Sequence, residues 1–303
     1  MPRFSVIIPV YNRAEAFKSA LASVLAQSVQ DFEIVVVDDG SSDDPASAAA
    51  SFADPRIRVL RQENQGGGAA RNAGIDAARG DLIAFLDSDD VFLPDHLAQM
   101  ERLLAGTNDT VGYAPMIVDR GEGRTMIKPP RAIRANEDMA NYLLCDRGFV
   151  PTITLVLPRG VARSIRYDPR LPFAQDTDFA IRLALSGCKF AMAAEPGAVW
   201  RDAPNPNRVS AGRKGARLIP WLEALRPQIP ARAYYGCYGW MIAKGLVATQ
   251  PARALGYYLR AIFTGCYGVR LAAIIFLQIF FSDALYRRVA DGVIALRPAA
   301  TAP

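Results

Sequence analysis

Asp38 and Asp39 in VVVDDGS, and Asp87, Asp89 and Asp90 in IAFLDSDD, stand where short apolar runs stop. A carboxylate at the end of a buried strand faces the crevice above a parallel sheet, where α/β proteins hold ligands. Such carboxylates offer the hard oxygen donors that Mg2+ or Mn2+ prefers, with phosphates and water completing the shell. A further cluster, Gln175-Asp176-Thr177-Asp178, lies in the second half of the chain, and a carboxylate facing the first site from there suits proton abstraction from an attacking hydroxyl. Each motif also has a plain structural reading. DSDD can be a solvated loop, DDGS a polar turn, and Asp176 and Asp178 acids favoured in the first turn of a helix. Three strand ends, the third closed by Pro9-Val10-Tyr11-Asn12, make a shared crevice the better account.

The rest of the chain narrows the chemistry. His96 is the only histidine, which removes Ser-His-Asp and Cys-His catalysis unless His96 serves alone. Cys145, Cys188, Cys237 and Cys266 are scattered, with no C-x-x-C pair, so reduced, mostly buried thiols are expected rather than a metal knuckle or redox motif. Gly66-Gly67-Gly68-Ala69-Ala70-Arg71 reads as a glycine loop opening a helix, where backbone and Arg71 can approach a nucleotide. It is not G-x-G-x-x-G after a strand, so a dinucleotide fingerprint is rejected. An exposed helix arginine is the plain alternative for Arg71.

Positioning these groups requires a regular scaffold. Strand patterns over residues 4–9, 32–37, 56–60 and 82–86 alternate with helical patterns over 14–27 and 67–78. A β-α-β series implies a mostly parallel, Rossmann-like sheet with helices on both faces. Ile34-Val35-Val36-Val37 has the continuous apolar character of a strand covered on both sides. A helix opened by Pro94 follows, then a looser stretch to Arg134, a β-branched run over 152–157, and a helix from Gln175 to Ser186. Residues 202–215, rich in Pro, Asn, Arg and Gly, read as a loop or hinge.

Three regions are expected: 1–100 and 101–215 as two halves of one domain, and 216–303 as a helical tail. Residues 1–212 hold 23 Lys and Arg against 27 Asp and Glu, whereas 213–303 hold 12 against 3, net −4 followed by net +9. The tail also carries 13 of 28 aromatic residues. Basic and aromatic residues interleaved with aliphatic stretches fit an anionic membrane surface, not nucleic acid. Leu255, Tyr258, Leu259, Ile262 and Phe263 fall on one helix face. Leu271 to Phe281 is about half the roughly 20 residues a spanning helix needs, so an interfacial, docking or core helix is expected. The apolar run over residues 5–9 is too short for a signal-peptide core, so a cytoplasmic location is expected.

With VIIPVYNR at 6–13, VVVDDGSSD at 35–43, ENQGGGAARNAGIDAARG at 63–80 and IAFLDSDDVF at 83–92, the chain resembles a family 2 glycosyltransferase of the GT-A fold. A weaker match continues through FAQDTDFAIRLALSG at 173–187. The resemblance implies a nucleotide-diphosphate-sugar donor and an inverting, metal-assisted transfer. It assigns Pro9 and Tyr11 to the base pocket, Asp39 to a pyrimidine hydrogen bond, and Arg71 to a further nucleotide contact. Asp87, Asp89 and Asp90 resemble the D-x-D region, in which Asp87 falls to the nucleotide sugar and Asp89 and Asp90 to the metal; Asp176 aligns with the catalytic base. Two departures stand out. Gln175 replaces the usual glutamate, and WRDAP at 200–204 replaces an Arg-x-His-Pro segment. Asp202 is then an alternative oxygen ligand, or Arg201 and Arg208 serve the phosphates.

The expected activity is transfer of one sugar to a lipid-linked or polysaccharide acceptor in bacterial-type surface or exopolysaccharide synthesis, at the cytoplasmic face of the inner membrane. No Q-x-x-R-W motif of processive synthases is present. A GT-A-like nucleotidyltransferase is disfavoured because residues 6–12 lack a glycine-rich, lysine-containing signature. A degenerate sugar-nucleotide-binding regulator of a synthase complex is the alternative from another class.

Overall fold

A computed structural model describes residues 1–202 and 214–295. The strands are β1 (Phe4–Val10), β2 (Phe32–Asp38), β3 (Ile57–Arg61), β4 (Leu82–Phe85), β5 (Val91–Phe92), β6 (Thr110–Tyr113), β7 (Met116–Asp119), β8 (Thr125–Lys128), β9 (Val156–Pro158), β10 (Lys189–Met192) and β11 (Ala198–Arg201). The helices are α1 (Ala14–Leu25), α2 (Pro45–Ala50), α3 (Gly67–Ala77), α4 (His96–Leu104), α5 (Met139–Cys145), α6 (Arg159–Ile165), α7 (Gln175–Leu185), α8 (Ile219–Leu225), α9 (Ala231–Cys237), α10 (Ala243–Leu246), α11 (Pro251–Phe263), α12 (Val269–Phe280) and α13 (Asp283–Ala295).

The chain divides into two compact units. The first comprises residues 1–120, 127–129 and 150–202. Its seven-stranded sheet runs β10-β6-β9-β4-β1-β2-β3, all parallel except β9, which lies antiparallel to β4 and β6. β1 and β2 are buried almost throughout because helices cover both faces, which explains their unbroken apolar runs. Register aligns the strand ends: Val10 lies beside Asp38, and Asp38 beside Arg61. The residues that follow β1, β2 and β4 therefore emerge at one edge of the sheet. A second, four-stranded sheet runs β5-β11-β7-β8.

Several expectations are corrected. The stretch to Arg134 holds β6, β7 and β8; four-residue strands broken by Gly112 and Pro115 are too short for a periodic signal. Of the run 152–157, Thr152–Thr154 forms a 3-10 turn and only the end joins the sheet. Thr154 leaves the strand pattern because its buried hydroxyl donates to Ala114 O at 2.7 Å. The helix after Pro94 begins at His96. His96 is fully buried, neither ring nitrogen has a hydrogen-bond partner among the described residues, and burial lowers its pKa to about 3. Gly197 is required above it, since a Cβ there would stand 2.3 Å from Nδ1.

The second unit comprises residues 121–126, 130–149 and 203 onward, and is helical where described beyond Lys214. Helices α5 and α9 pack together, as do α10 and α11. Cys145, Cys237 and Cys266 are buried free thiols, and Cys188 of the first unit is half-buried. α11 corrects the sequence reading of its apolar face: Ala254, Tyr258 and Ala261 point inward, whereas Leu255, Leu259 and Phe263 are exposed. Small residues at 254 and 261 permit the close packing that selects this orientation. α12 buries Leu271, Ala272, Ile275 and Ile279. No described helix is long and apolar enough to cross a membrane.

Candidate active site

The loop after β2 is built by two neighbouring carboxylates with separate tasks. Asp38, 1% exposed, accepts from Ser41 N at 2.8 Å and pairs with Arg61 at 2.7 Å, closing the turn. Asp39, 3% exposed, accepts from Gln62 Nε2 at 2.7 Å and Gln65 N at 2.9 Å through one oxygen, and from Gly66 N at 2.8 Å through the other. It thereby fixes the segment that leads into α3. A carboxylate has about four lone-pair sites, so Asp39 retains one acceptor position for an N–H group. The loop after β1 is tied to the same turn: Asn12, at φ 50°, donates its N–H to Ser41 Oγ at 3.0 Å and accepts from Ser42 N at 2.8 Å. Pro9 is half-buried at the end of β1, and Tyr11 is 48% exposed just beyond it. An open cavity of about 520 Å³ beside this turn is lined by Gly40, Arg61, Gln62, Glu63 and Asn64.

The second cluster joins α3, the end of β4 and the start of α7. Arg71 donates to Asp87 Oδ1 at 2.5 Å and to Gln175 Oε1 at 3.0 Å, and its guanidinium lies 5.3 Å from the Tyr167 ring centroid. Burial opposes the charge on Arg71, but Asp87, Tyr167 and Asp176 together offset this and raise its pKa. Gln175 completes the connection by donating to Leu171 O at 2.7 Å. Its amide therefore keeps the hydrogen bond to Arg71 without the charge of a glutamate. The glycine loop serves this contact directly: a Cβ at Gly68 would lie 3.1 Å from Gln175 Nε2. Asn72 locks the same region, donating to Tyr167 O and accepting from Tyr167 N, both at 2.9 Å. Tyr167 stacks on Phe179 at 4.1 Å, and burial pushes its phenol pKa upward.

The two acids of α7 separate cleanly. Asp178, 2% exposed, is held by Arg182 at i+4 with Nε–Oδ2 of 2.8 Å, a structural pairing within the helix. Asp176 is half-buried and accepts Thr177 N at 2.8 Å through one oxygen. Burial raises its pKa; Arg71 draws it down, and the Asp87 charge adds to the rise. A carboxylate with raised proton affinity beside a positioned arginine suits general-base work.

The D-x-D residues are also differentiated. Asp87 and Asp89 are about one-third exposed, with side-chain values of 35% and 33%. Asp87 uses one oxygen on Arg71, and Asp89 uses one on Arg13. Asp90 is 2% exposed and accepts from Arg201 N at 2.9 Å, joining this loop to the end of β11. Asp202 is buried and paired with Arg120 at 3.3 Å, and its N–H donates to Asp119 O at 2.7 Å. Ala203 and Arg208 lie outside the described residues. No group of three His, Cys, Asp or Glu side chains converges among the described residues. The remaining oxygens of Asp87 and Asp89 nevertheless fit the mode in which a divalent cation takes one or two protein carboxylates and completes its shell with phosphate and water.

Sequence reasoning did not single out Arg13, Gln62, Asn72 or Tyr167 as part of this construction. Arg13 and Gln62 sit directly after quoted strand ends, and that adjacency was the available signal. Tyr167 carries none, because its position depends on the Asn72 contact across 95 residues.

Comparison with known proteins assigns the lineage of this arrangement. The family described as Glycosyl transferase family 2 matches residues 5–165, more than half of the chain. The chain belongs to that family. The enzyme is 33% identical over 242 residues to the amylovoran biosynthesis glycosyltransferase AmsB of Erwinia amylovora, covering 77% of this chain and 80% of AmsB. It is 29% identical over 225 residues to the succinoglycan biosynthesis protein ExoW of Rhizobium meliloti, covering 68% and 70%. Among solved structures, S. aureus TarS 1–349 in complex with UDP-GlcNAc superposes with a TM-score of 0.63 at 18% identity, covering 96% of this chain and 91% of that one. The mannosyltransferase PcManGT of Pyrobaculum calidifontis, in complex with GDP-Man and Mn2+, superposes with a TM-score of 0.60 at 20% identity, covering 97% and 85%. These similarities show the GT-A fold, and the enzyme is a glycosyltransferase.

Proposed function

We propose that the enzyme moves one sugar, with inversion, from a nucleotide-diphosphate-sugar to a lipid-linked or polysaccharide acceptor of bacterial surface or exopolysaccharide synthesis, working peripherally at the cytoplasmic face of the membrane. The observation that carries the reading is the chain Gln175–Arg71–Asp87, which sets Asp176 within electrostatic reach of the carboxylate at the end of β4. The names of AmsB and ExoW support the polysaccharide acceptor, and the UDP-GlcNAc and GDP-Man complexes support a nucleotide-sugar donor.

Asp39 offers its remaining acceptor position to a base N–H, with Pro9 and Tyr11 flanking it and Arg71 adding a nucleotide contact. Asp87 faces the sugar-nucleotide. Asp89 and the second oxygen of Asp87 would hold a divalent cation such as Mg2+ or Mn2+, in a loop that Asp90 braces through Arg201 N; when bound, the cation offsets charge on the diphosphate. Asp176 takes the proton from the acceptor hydroxyl as its oxygen bonds to the anomeric carbon and the bond to the diphosphate oxygen breaks. Burial raises its pKa, the direction that favours proton uptake.

The test is a panel of nucleotide sugars scanned by thermal shift with and without Mn2+. A donor that binds only the folded state raises Tm, by the equivalent of about 2.7 kcal/mol at a hundredfold excess over Kd. One nucleotide sugar stabilising in a metal-dependent way is the expected result. No stabilisation by any of them would contradict the donor assignment.

A further inference from the structure

Twelve large hydrophobic residues are exposed among the described residues, and eight of them lie between Leu255 and Val289. The other four, Met1, Tyr11, Ile127 and Leu185, are spread along the sequence. On α11, at about 100° per residue, Leu255, Leu259 and Phe263 form one outward stripe, with Ala252 and Gly256 filling the gaps. The helix already buries Ala254, Tyr258 and Ala261 on its opposite side, so among the described residues this second apolar face is left turned outward. Phe263 is 85% exposed at the end of α11, and Val269 is 91% exposed at the start of α12. The turn between them is rigid: Cys266 N donates to Ala261 O at 2.9 Å, and Tyr267 hydroxyl donates to Gly236 O.

The charges carried by the helices of this face are basic, and two of them meet acids from outside residues 224–282, Arg226 with Glu223 and Arg232 with Asp146. Residues 224–282 contain no Asp or Glu and six basic residues, Arg226, Arg232, Lys244, Arg253, Arg260 and Arg270. Arg253 and Arg260 fall on the row next to the apolar stripe, and their described hydrogen bonds go to neutral groups, the Tyr257 and Tyr235 hydroxyls and the Gln250 amide. Among the described residues no carboxylate pairs with either of them. Arg270 is exposed beside Val269.

We infer that the Leu255–Leu259–Phe263 stripe and the adjoining Val269 turn dock on an anionic lipid bilayer, the apolar side chains entering the headgroup–acyl boundary and the arginines meeting lipid phosphates. An apolar face rimmed by cations is the composition such surfaces select. A second copy of the chain fits less well, because apposing two faces that carry Arg253, Arg260 and Arg270 sets like charges against one another. This deepens the transfer reading, on which it rests for its purpose, by naming the surface that brings the enzyme to a lipid-borne acceptor.

The experiment is flotation of the full chain with vesicles of phosphatidylcholine alone and of phosphatidylcholine mixed with phosphatidylglycerol. The expected result is recovery with the anionic vesicles, falling about tenfold in the Phe263→Glu/Val269→Glu double variant and falling as salt is raised. Both side chains are almost fully exposed, so the variant keeps the parent melting curve. Flotation unchanged by the double variant, recovery with neither vesicle, or a dimer dispersed by the same substitutions without vesicle binding would each overturn the inference. Donor-induced thermal stabilisation, read on the same samples, reports the transfer site separately, so failure of one reading is distinguishable from failure of the other.

Discussion

The strand-end loops of the first unit and the last helices of the second unit use polar chemistry in opposite ways. At the strand ends nearly every charge has a named partner: Asp38 with Arg61, Asp89 with Arg13, Asp87 with Arg71. Each pairing fixes one atom of a site whose work depends on position. On the outer face of α11 and α12 the charges are all basic and the apolar residues point outward. Recognition there depends on area and sign, not on individual geometry. A site for transfer needs preorganised groups, whereas a surface for docking needs only a patch, and the two regions show how differently a sequence encodes each.

The largest effect expected from breaking the first region comes from Arg71→Met. It removes the group that joins Asp87 to Gln175 and leaves two carboxylates, Asp87 and Asp176, without the cation between them. Transfer should fall by about 10²-fold or more, measured as kcat/KM with the donor identified by the panel, while vesicle flotation stays unchanged. Loss of both properties together would show that the two regions are not independent.

A smaller effect sharpens the contrast from within the first unit, since His96 is a buried polar side chain whose ring nitrogens have no hydrogen-bond partner among the described residues. Its pKa falls from 6.5 to about 3 on folding because of burial. The unfolded chain therefore binds the extra proton between those values. Stability from this group is fully present above pH 6.5 and is lost as pH falls toward 3, at up to about 1.4 kcal/mol per pH unit. Urea melts from pH 7 to pH 4 should show that slope, flattened in His96→Met. Equal slopes in the two proteins would remove His96 from the acid limb.

Much of the site was legible because parallel strands place their C-terminal ends at one edge, so an apolar run ending in aspartate is a local signal with a global meaning. Asp39 and Asp87 could be singled out for that reason, whereas Asp176 was marked by the acidic start of a helix and by the family resemblance. What each carboxylate binds was not legible. Asp90 could not be seen reaching Arg201 N across 111 residues, and Asp202 could not be seen pairing with Arg120, because such contacts depend on which loops the fold brings together. The orientation of α11 was hidden for a related reason. Periodicity finds an apolar face, but Ala254 and Ala261 show that close packing of small residues decides which face turns inward.

The account stands most directly on Asp176→Asn, a substitution that keeps shape and hydrogen bonding while removing the base. Donor titration and transfer assay on the same preparation should show affinity within a few-fold of the parent and a turnover lowered by about 10²- to 10⁴-fold. Turnover equal to the parent, with the donor still bound, would contradict the assignment of Asp176 and with it the transfer geometry built around Arg71.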